Sequence, residues 1–217
     1  MLNAKNTVMF IILFSSLWIG CAGNQGATRK KVQALHDLGG GLVQQGDLRT
    51  GLGKLLEASK LDPENADILH ELALAYRDLG EYDLSLQHFE KVLAIRPMFS
   101  QARNNKGTVY LLLGKWNQAV SCFQKVVKDI TYRTPHFAYN NMGIAYRELN
   151  QTEKSIRAFK KAISLSPRFP TAHYNLGKLY LRLNKKTEAI AELEKTIEND
   201  PKGNYAKEAD RLLKKIR

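Results

Sequence analysis

The chain has 217 residues, of which 44% are hydrophobic, 9% aromatic and 25% charged, a balance typical of a globular protein. Two cysteines exclude a disulfide framework and a zinc module built from several cysteines, and only six prolines and fifteen glycines argue against a turn-rich β-sandwich. The 33 Lys and Arg residues exceed the 21 Asp and Glu residues by 12, which makes nucleic acid, an anionic membrane or an acidic protein the partners to consider.

The first twenty residues have the pattern of a secretory signal peptide. Residues 1–7 are polar with one positive charge, Lys5, and residues 8–19 (VMFIILFSSLWI) are nearly all apolar. Because a membrane-spanning helix needs about 20 apolar residues, this run is too short to cross a bilayer comfortably. It fits the hydrophobic core of a signal peptide, which predicts export from the cytoplasm.

Cys21 is predicted to carry a lipid. Gly20 and Cys21 follow the apolar run directly and resemble a bacterial lipoprotein signal, in which a small residue precedes the cysteine that is acylated and becomes the new N-terminus. Trp18 stands where that pattern has leucine. The alternatives are an ordinary cleaved signal, or an uncleaved anchor, with an incidental cysteine.

The lipoprotein resemblance implies a location. Ala22 resembles the residue that follows the cysteine in lipoproteins exported to the outer membrane, so residues 1–20 would be the signal peptide and residues 21–31 the lipidated N-terminus and tether, facing the periplasm. Outside the cytoplasm there is little nucleic acid to bind. We therefore expect the basic surface to meet anionic lipid headgroups or an acidic protein, and not nucleic acid.

The rest of the chain consists of five repeated units. Small residues recur at intervals of 34, 34, 36 and 34, at Gly39, Ala73, Gly107, Gly143 and Gly177. A large apolar residue stands sixteen positions after each of them, at Leu55, Phe89, Phe123, Phe159 and Leu193. Prolines close four of the five units, at Pro63, Pro97, Pro167 and Pro201. This pattern resembles the tetratricopeptide repeat, whose signature places a small residue, Tyr, Ala, Phe and Pro in that order.

The resemblance implies an all-α fold, a tetratricopeptide-repeat superhelix of five helix-turn-helix units over residues 32–203 with a concave groove. One unit cannot bury its own apolar face, so the units are expected to stack. Residues that tolerate the left-handed conformation at a helix end separate the two helices of each unit, at Gly46, Gly80, Gly114, Asn150 and Asn184. Residues 204–217 are amphipathic and predict a C-terminal capping helix, with a membrane-surface role as the alternative.

The sequence shows no catalytic or metal-binding pattern. His36 and His70 lie 34 residues apart and so occupy equivalent positions in two units, unlike the ligands of an HExxH zinc site. Cys122 is predicted to be a small, buried or half-buried side chain. We expect a protein-binding function, with no cofactor, no metal and no small-molecule substrate. An enzyme accessory or an unrecognised hydrolase is the alternative from another class.

Asparagines mark the predicted groove, which the first helix of each unit would line. Asn105, Asn141 and Asn175 all stand two residues before the small residue of their unit, and Asn104 and Asn140 precede two of them. An Asn amide offers an acceptor and two donors, so it can hold a peptide backbone whatever its sequence. Other tetratricopeptide proteins use a similar row of asparagines in this way. The alternative is that these amides bond neighbouring helices and have a structural role only.

Arginines are predicted to add positive charge to this groove. Arg77, Arg147 and Arg182 lie further along the same first helices. A guanidinium can bind a carboxylate through two hydrogen bonds, although solvated surface arginines are equally common. A cationic groove lined with amides predicts an acidic, extended protein segment as the partner.

An insertion distinguishes the joint between the third and fourth units. The spacing there is 36, the closing proline is missing, and the chain reads KDITYRTP over residues 128–135. This stretch, in a lipoprotein of such repeats, resembles the type IV pilus biogenesis lipoproteins, the pilotins of the PilF/PilW/Tgl type. Members of that family often show a sixth unit, whereas here only a short terminal helix follows the fifth.

The pilotin resemblance implies a function. Pilotins are outer-membrane lipoproteins that help the secretin, the channel through which the pilus emerges, to reach the outer membrane and assemble. Cys21 would be the membrane anchor, and the groove would hold an extended segment of a secretin subunit or another envelope protein. The alternative is a lipoprotein adaptor for another envelope machine, serving peptidoglycan enzymes or outer-membrane barrel assembly.

Overall fold

The computed structural model describes residues 25–216, and within that range every regular element is an α-helix. Helix α1 covers residues 25–44. The others are α2 (Leu48–Leu61), α3 (Ala66–Asp78), α4 (Tyr82–Ile95), α5 (Ser100–Leu112), α6 (Trp116–Val126), α7 (Pro135–Glu148), α8 (Thr152–Leu165), α9 (Pro170–Arg182), α10 (Lys186–Asn199) and α11 (Asn204–Ile216). The predicted all-α architecture of helix-turn-helix units is confirmed. Two compact units are present, with α1–α4 in the first, which ends at Ile95, and α5–α11 in the second, which begins at Arg96.

The turns inside the helical pairs adopt the conformation that the sequence predicts. The backbone φ angle is positive at all five expected residues: Gly46 (90°), Gly80 (81°), Gly114 (68°), Asn150 (56°) and Asn184 (56°). In all five turns a backbone N–H just beyond the helix returns to a carbonyl of its last turn, as the Gln151 N–H does to the Tyr146 carbonyl over 2.8 Å. Each left-handed residue thus reverses the chain so that the second helix can pack on the first.

The prolines end the second helices as predicted. Helices α2, α4, α8 and α10 each stop two residues before a proline. Proline lacks a backbone N–H and its ring clashes with the preceding turn, so the helix cannot continue. Where the proline is missing, α6 ends at Val126 and residues 127–134 form a longer loop before Pro135 opens α7.

The recurring small residues let the two helices of a unit approach closely. A Cβ atom on Gly107 would lie 2.7 Å from Cε1 of Phe123, and one on Gly143 would lie 2.6 Å from Cε1 of Phe159. Both phenylalanines are fully buried. In the third and fourth repeats a Cβ atom at this contact would therefore displace the phenylalanine ring, whereas the second repeat pairs Ala73 with Phe89.

The start of α1 overlaps the segment predicted to be the tether, because residues 25–31 are helical. Ala27, Arg29 and Lys30 favour helix, and the turn that they form continues directly into the buried Val32. The signal-peptide residues and Cys21 lie outside the described residues.

Helix α11 covers the end of the last repeat. It packs on α9 and α10 through the buried side chains of Ala206, Ala209 and Leu213, while Lys214 and Lys215 are exposed. A terminal repeat needs such a polar outer face. Among residues 25–216, no helix combines the length and the apolar character required to span a membrane.

Candidate partner-binding site

The first helices of the second compact unit lie side by side. Helix α5 contacts α7, and α7 contacts α9. Equivalent repeat positions on these helices therefore form a row, and this row holds the five predicted asparagines, here called the amide row: Asn104, Asn105, Asn140, Asn141 and Asn175. Four of them are buried and Asn141 is half-buried.

Hydrogen bonds join part of the amide row. The Asn175 side-chain amide donates to Asn140 Oδ1 over 3.0 Å, across two helices, and the Asn140 amide donates to Asn141 Oδ1 over 3.3 Å. Asn140 thus has a structural role, because it ties α9 to α7. The Asn141 amide nitrogen and Asn175 Oδ1 make no hydrogen bond within residues 25–216 and can serve a ligand.

Asn104 differs from the other amides. Its side chain is buried, and its Oδ1 atom has no hydrogen-bond partner within the part of the chain that the structure describes. A buried acceptor without a donor costs about 1–3 kcal/mol, so a donor from outside the chain, either water or a ligand, would stabilise it. Asn104 Oδ1 is therefore the best-defined candidate in the amide row for accepting a backbone N–H of a bound peptide.

Two of the three predicted arginines share a cavity. Arg147 and Arg182 line a cavity of about 360 Å³ together with Lys178, Leu181 and Leu212. Glu148 also lines it and accepts a hydrogen bond from Arg147 Nε over 2.9 Å. Three cations against one carboxylate leave the cavity positive, with two leucines on its wall. It suits an acidic side chain beside an apolar one.

The cavity and the amide row occupy the same faces of the same helices. Arg147 lies seven residues after Asn140 on α7, and Arg182 lies seven residues after Asn175 on α9. Seven residues make almost two helical turns, so each pair faces the same side at a separation of roughly 10 Å along the axis. A peptide of a few residues can reach from the amides to the cations.

Arg77 lies apart from this group, in the first compact unit. It is on α3, and its Nε donates to Asp78 Oδ1 over 2.7 Å. Its charge is thus partly neutralised by its own neighbour.

Sequence reasoning missed Lys178 and the tyrosines beside it. Lys178 Nζ lies 5.3 Å from the ring centroid of Tyr174, which in turn is 5.0 Å from the ring of Tyr205 on α11. Lys178 precedes Arg182 by four residues, so helical spacing alone could have placed both cations on one face. The contribution of α11 could not be inferred in this way.

The other candidate groups show no chemistry of their own. Cys122 is half-buried, and burial raises the pKa of its thiol. No cluster of His, Cys, Asp and Glu side chains that could hold a metal occurs within residues 25–216. The amide row and the cationic cavity offer amides, cations and apolar side chains, which are suited to binding a protein segment.

Family models for these repeats match most of the helical pairs. The tetratricopeptide repeat matches residues 66–99, 100–128 and 170–202, and a further TPR repeat model matches residues 143–184. Together with the helix-turn-helix geometry, these matches show that the chain is a tetratricopeptide-repeat protein. Its fold defines a scaffold for binding other proteins.

Curated relatives share these repeats but are much longer. The chain is 25% identical over 181 residues to the peroxisomal targeting signal receptor of Saccharomyces cerevisiae, covering 63% of this chain and 29% of the receptor. It is 26% identical over 116 residues to the TPR repeat-containing protein MJ0940 of Methanocaldococcus jannaschii, covering 51% of this chain and 36% of that protein. The chain thus spans about a third of the length of these relatives.

Solved structures of similar size share the fold. MamA from Desulfovibrio magneticus RS-1 has a TM-score of 0.71 at 26% identity, covering 80% of this chain and 97% of that one. PilF of Pseudomonas aeruginosa has a TM-score of 0.73 at 19% identity, covering 80% of this chain and 78% of that one. PilW, described as a widely conserved type IV pilus biogenesis factor, has a TM-score of 0.73 at 24% identity (77% of each chain). The last two likenesses establish the common fold alone.

Proposed function

We propose that the amide row and the adjoining cationic cavity hold an extended, acidic segment of a partner protein. The observation that carries this proposal is the buried Asn104 Oδ1 atom, which lacks a donor. A peptide N–H would supply that donor. The free polar atoms of Asn141 and Asn175 would then bond further backbone groups, and Arg147, Lys178 and Arg182 would receive an acidic side chain.

We further propose that the chain is a pilotin, anchored in the outer membrane through an acylated Cys21, and that the bound segment belongs to the secretin of the type IV pilus. Two features of the sequence support this: the lipoprotein-like signal that ends at Cys21, and the insertion over residues 128–135. The fold shared with PilW is compatible with it.

The physical role of such a protein would be tethering. Each buried CH₂ of an acyl chain contributes about 0.8 kcal/mol of membrane affinity, so several chains hold the protein firmly at the bilayer. A secretin subunit captured by a lipid-anchored scaffold is confined to the membrane surface. Its effective concentration for ring assembly rises without any new contact between subunits.

Two variants separate partner binding from structural support. Asn104→Ala removes a buried acceptor that has no internal partner, so we expect unfolding stability to be kept or raised while the affinity for the secretin falls by about tenfold, the equivalent of roughly 1.4 kcal/mol. Asn140→Ala breaks the bonds to Asn141 and Asn175 and should lower stability as well. Asn117→Ala, an exposed asparagine on α6, is the matched control. Unchanged secretin binding by Asn104→Ala would contradict the proposed site.

Deleting the gene tests the pilotin assignment. We expect heat-resistant secretin multimers to disappear from the outer-membrane fraction, and to return with the wild-type chain but not with Cys21→Ser. Undiminished multimers after deletion would contradict the pilotin assignment. The alternative function, an adaptor for another envelope machine, would then be favoured. Because Cys21→Ser leaves residues 25–216 unchanged, loss of the multimers in that variant would report on the anchor and not on the repeats.

A further inference from the structure

Three loops of the second compact unit form a surface that neither the amide row nor the cationic cavity uses. These loops, residues 96–99, 127–134 and 166–169, connect successive helical pairs and are here called the loop edge. The first two adjoin, because Met98 and Phe99 line one cavity with Tyr132 and Arg133. The third adjoins the start of α7, because the Phe169 ring lies 5.0 Å from that of Phe137.

Large apolar side chains project from this edge into solvent. Ile130 is 99% exposed, Met98 is 78% exposed and Phe137 is 44% exposed. Isolated exposed hydrophobic residues are common on proteins, but two on adjoining loops and one at the start of α7 lie on the same edge and form a patch. A side chain as exposed as that of Ile130 contributes almost nothing to the fold of this chain.

The protein holds Ile130 in this position through its neighbour Asp129. The Ser100 hydroxyl donates to Asp129 Oδ2 over 2.5 Å, and the Thr131 N–H and hydroxyl donate to Oδ1 over 2.9 and 2.6 Å. The hydrogen bond from Ser100 is the largest cause that lowers the pKa of the Asp129 carboxyl, and the bonds from Thr131 are the next largest. The carboxyl therefore stays ionised. The inserted loop is therefore a built structure that presents an isoleucine at its tip.

The charge around this patch is almost entirely positive. The exposed residues Arg96, Lys128, Arg133 and Arg168 lie on the three loops, and Asp129 is their one carboxylate. That carboxylate accepts hydrogen bonds from Ser100 and Thr131 and sets one negative charge against the four cations. The corresponding loop of the first compact unit, residues 62–65, carries Asp62 and Glu64 and no cation. Each loop of the loop edge thus has a net positive charge, whereas residues 200–203 carry one cation, Lys202, and one carboxylate, Asp200.

We propose that the loop edge docks on an anionic lipid bilayer. Ile130 and Met98 would enter the headgroup region, where apolar side chains leave water without needing a complementary cavity, and the four cations would contact lipid phosphates. Convex, separately exposed apolar tips beside basic side chains favour a bilayer over a protein, whose interface would need pockets shaped to receive them. The proposal goes beyond partner binding in the amide row and does not depend on it.

Fluorescence at a single position of the full chain tests this docking. Ile130→Cys is made with Cys21→Ser and Cys122→Ala so that one thiol can carry an environment-sensitive dye. The labelled protein is added to vesicles of phosphatidylethanolamine and phosphatidylglycerol that contain a lipid-borne quencher, and to neutral phosphatidylcholine vesicles with the same quencher. We expect a blue shift and quenching with the anionic vesicles only.

Leu112→Cys in the same background is the matched control. Leu112 is also exposed, at 54%, but lies at the far end of α5, roughly 18 Å along the helix from the loop edge. Its dye should remain in water. Adding Lys128→Glu and Arg133→Glu to the Ile130→Cys chain should abolish the quenching. No quenching at position 130, or equal quenching at position 112, would overturn the proposal. A dye at position 130 that responds to added secretin but not to vesicles would also overturn it, and would indicate that the loop edge binds a protein.

Discussion

Gly143 and Phe159 are in direct contact across the two helices of the fourth repeat. A Cβ atom on Gly143 would lie 2.6, 2.7 and 3.0 Å from three atoms of the Phe159 ring, which is fully buried. Such distances are shorter than any real van der Waals contact, so a side chain at position 143 must move the ring or separate α7 from α8.

Gly143→Ala is therefore expected to destabilise the protein by about 1–3 kcal/mol, although alanine favours helix more than glycine does. Urea unfolding followed by circular dichroism measures this. Gly53→Ala is the control, because nothing lies within 4 Å of a Cβ at this exposed position on α2, and it should stabilise by about 0.5–1 kcal/mol. A Gly143→Ala variant as stable as the wild type would show that α7 and α8 can accommodate a Cβ atom at position 143 without cost.

A second substitution should restore part of this loss. The first and fifth repeats pair glycine with leucine, as Gly39 with Leu55 and Gly177 with Leu193. Leucine can change its rotamer where phenylalanine is a rigid ring, so adding Phe159→Leu to Gly143→Ala should relieve part of the overlap, although a Cβ on Gly39 would still lie 2.8 Å from Leu55 Cγ. The double variant should be more stable than the sum of the two single changes predicts.

The Ser155 hydroxyl provides a second link across the same pair of helices. It is fully buried and donates to the Gly143 carbonyl over 2.7 Å, as Ser85 does to the Ala73 carbonyl in the second repeat. Alanine occupies this position in the third and fifth repeats, so Ser155→Ala fits sterically and removes only the hydrogen bond. We expect a loss of about 0.5–1.5 kcal/mol in thermal or urea unfolding.

Ser164→Ala is the matched control for that loss. Ser164 is on the same helix and its hydroxyl also donates to a backbone carbonyl, that of Lys161, but it is exposed. Water replaces an exposed hydrogen bond, so this variant should change stability by less than about 0.5 kcal/mol. Equal losses of stability in Ser155→Ala and Ser164→Ala would show that burial does not strengthen the contribution of the Ser155 hydrogen bond.

Asn150 tests the turn between α7 and α8. Its φ angle of 56° is left-handed, a conformation that costs most side chains about 1–2 kcal/mol and costs Gly and Asn less. Asn150→Ala should therefore destabilise the chain by about 1 kcal/mol, and Asn150→Gly should leave stability nearly unchanged. Identical melting temperatures for these two variants would show that the backbone conformation at this turn does not limit stability.

These turns were predictable because their chemistry is local. A helix that reverses within a few residues needs a left-handed residue, and only Gly and Asn supply it readily, so the five positions could be read from residue type and spacing. The helix stops before Pro63, Pro97, Pro167 and Pro201 follow from the same kind of local constraint.

The hydrogen bonds of the amide row were not predictable in the same way. Repeat spacing aligns Asn175 with Asn141, but Asn175 donates to Asn140, which aligns with Tyr174. Which amides meet depends on the rotation and crossing of α7 and α9, and these are set by packing along the whole helix. For the same reason the sequence could suggest Asn104 as a ligand but could not reveal that its Oδ1 atom lacks a partner.

His173 gives the protein a pH-dependent stability. Its imidazole is 3% exposed; Nδ1 lies 2.6 Å from Glu192 Oε2, and Nε2 lies 3.0 Å from the Pro167 carbonyl. Both partners are acceptors, so both contacts are hydrogen bonds only when the ring carries two protons. Burial works to lower the pKa of His173, but the hydrogen bonds to Glu192 and Pro167 and the Glu192 charge outweigh it and raise the pKa above 6.5.

The sign of the effect follows from this raised pKa. The unfolded chain has an ordinary His pKa, so the stabilisation is complete below about pH 6.5 and is lost as the pH rises through the higher folded pKa. The difference in unfolding free energy between the wild type and His173→Leu should therefore be largest near pH 5.5 and shrink towards pH 8.5. Glu192→Gln removes the negative charge and should flatten the pH dependence of the wild type.

His136→Leu provides the opposite control within the same compact unit. Burial lowers the pKa of His136, so its contribution to stability is present above the ordinary pKa and lost as the pH falls. The free-energy difference between the wild type and this variant should thus shift in favour of the variant at acidic pH. Urea unfolding curves of the wild type, His173→Leu and His136→Leu at several pH values between 5.5 and 8.5 measure both trends. A His173→Leu difference that does not vary with pH would mean that folding leaves the pKa of His173 unchanged, and a difference that grows as the pH rises would mean that the ring is neutral in the folded protein.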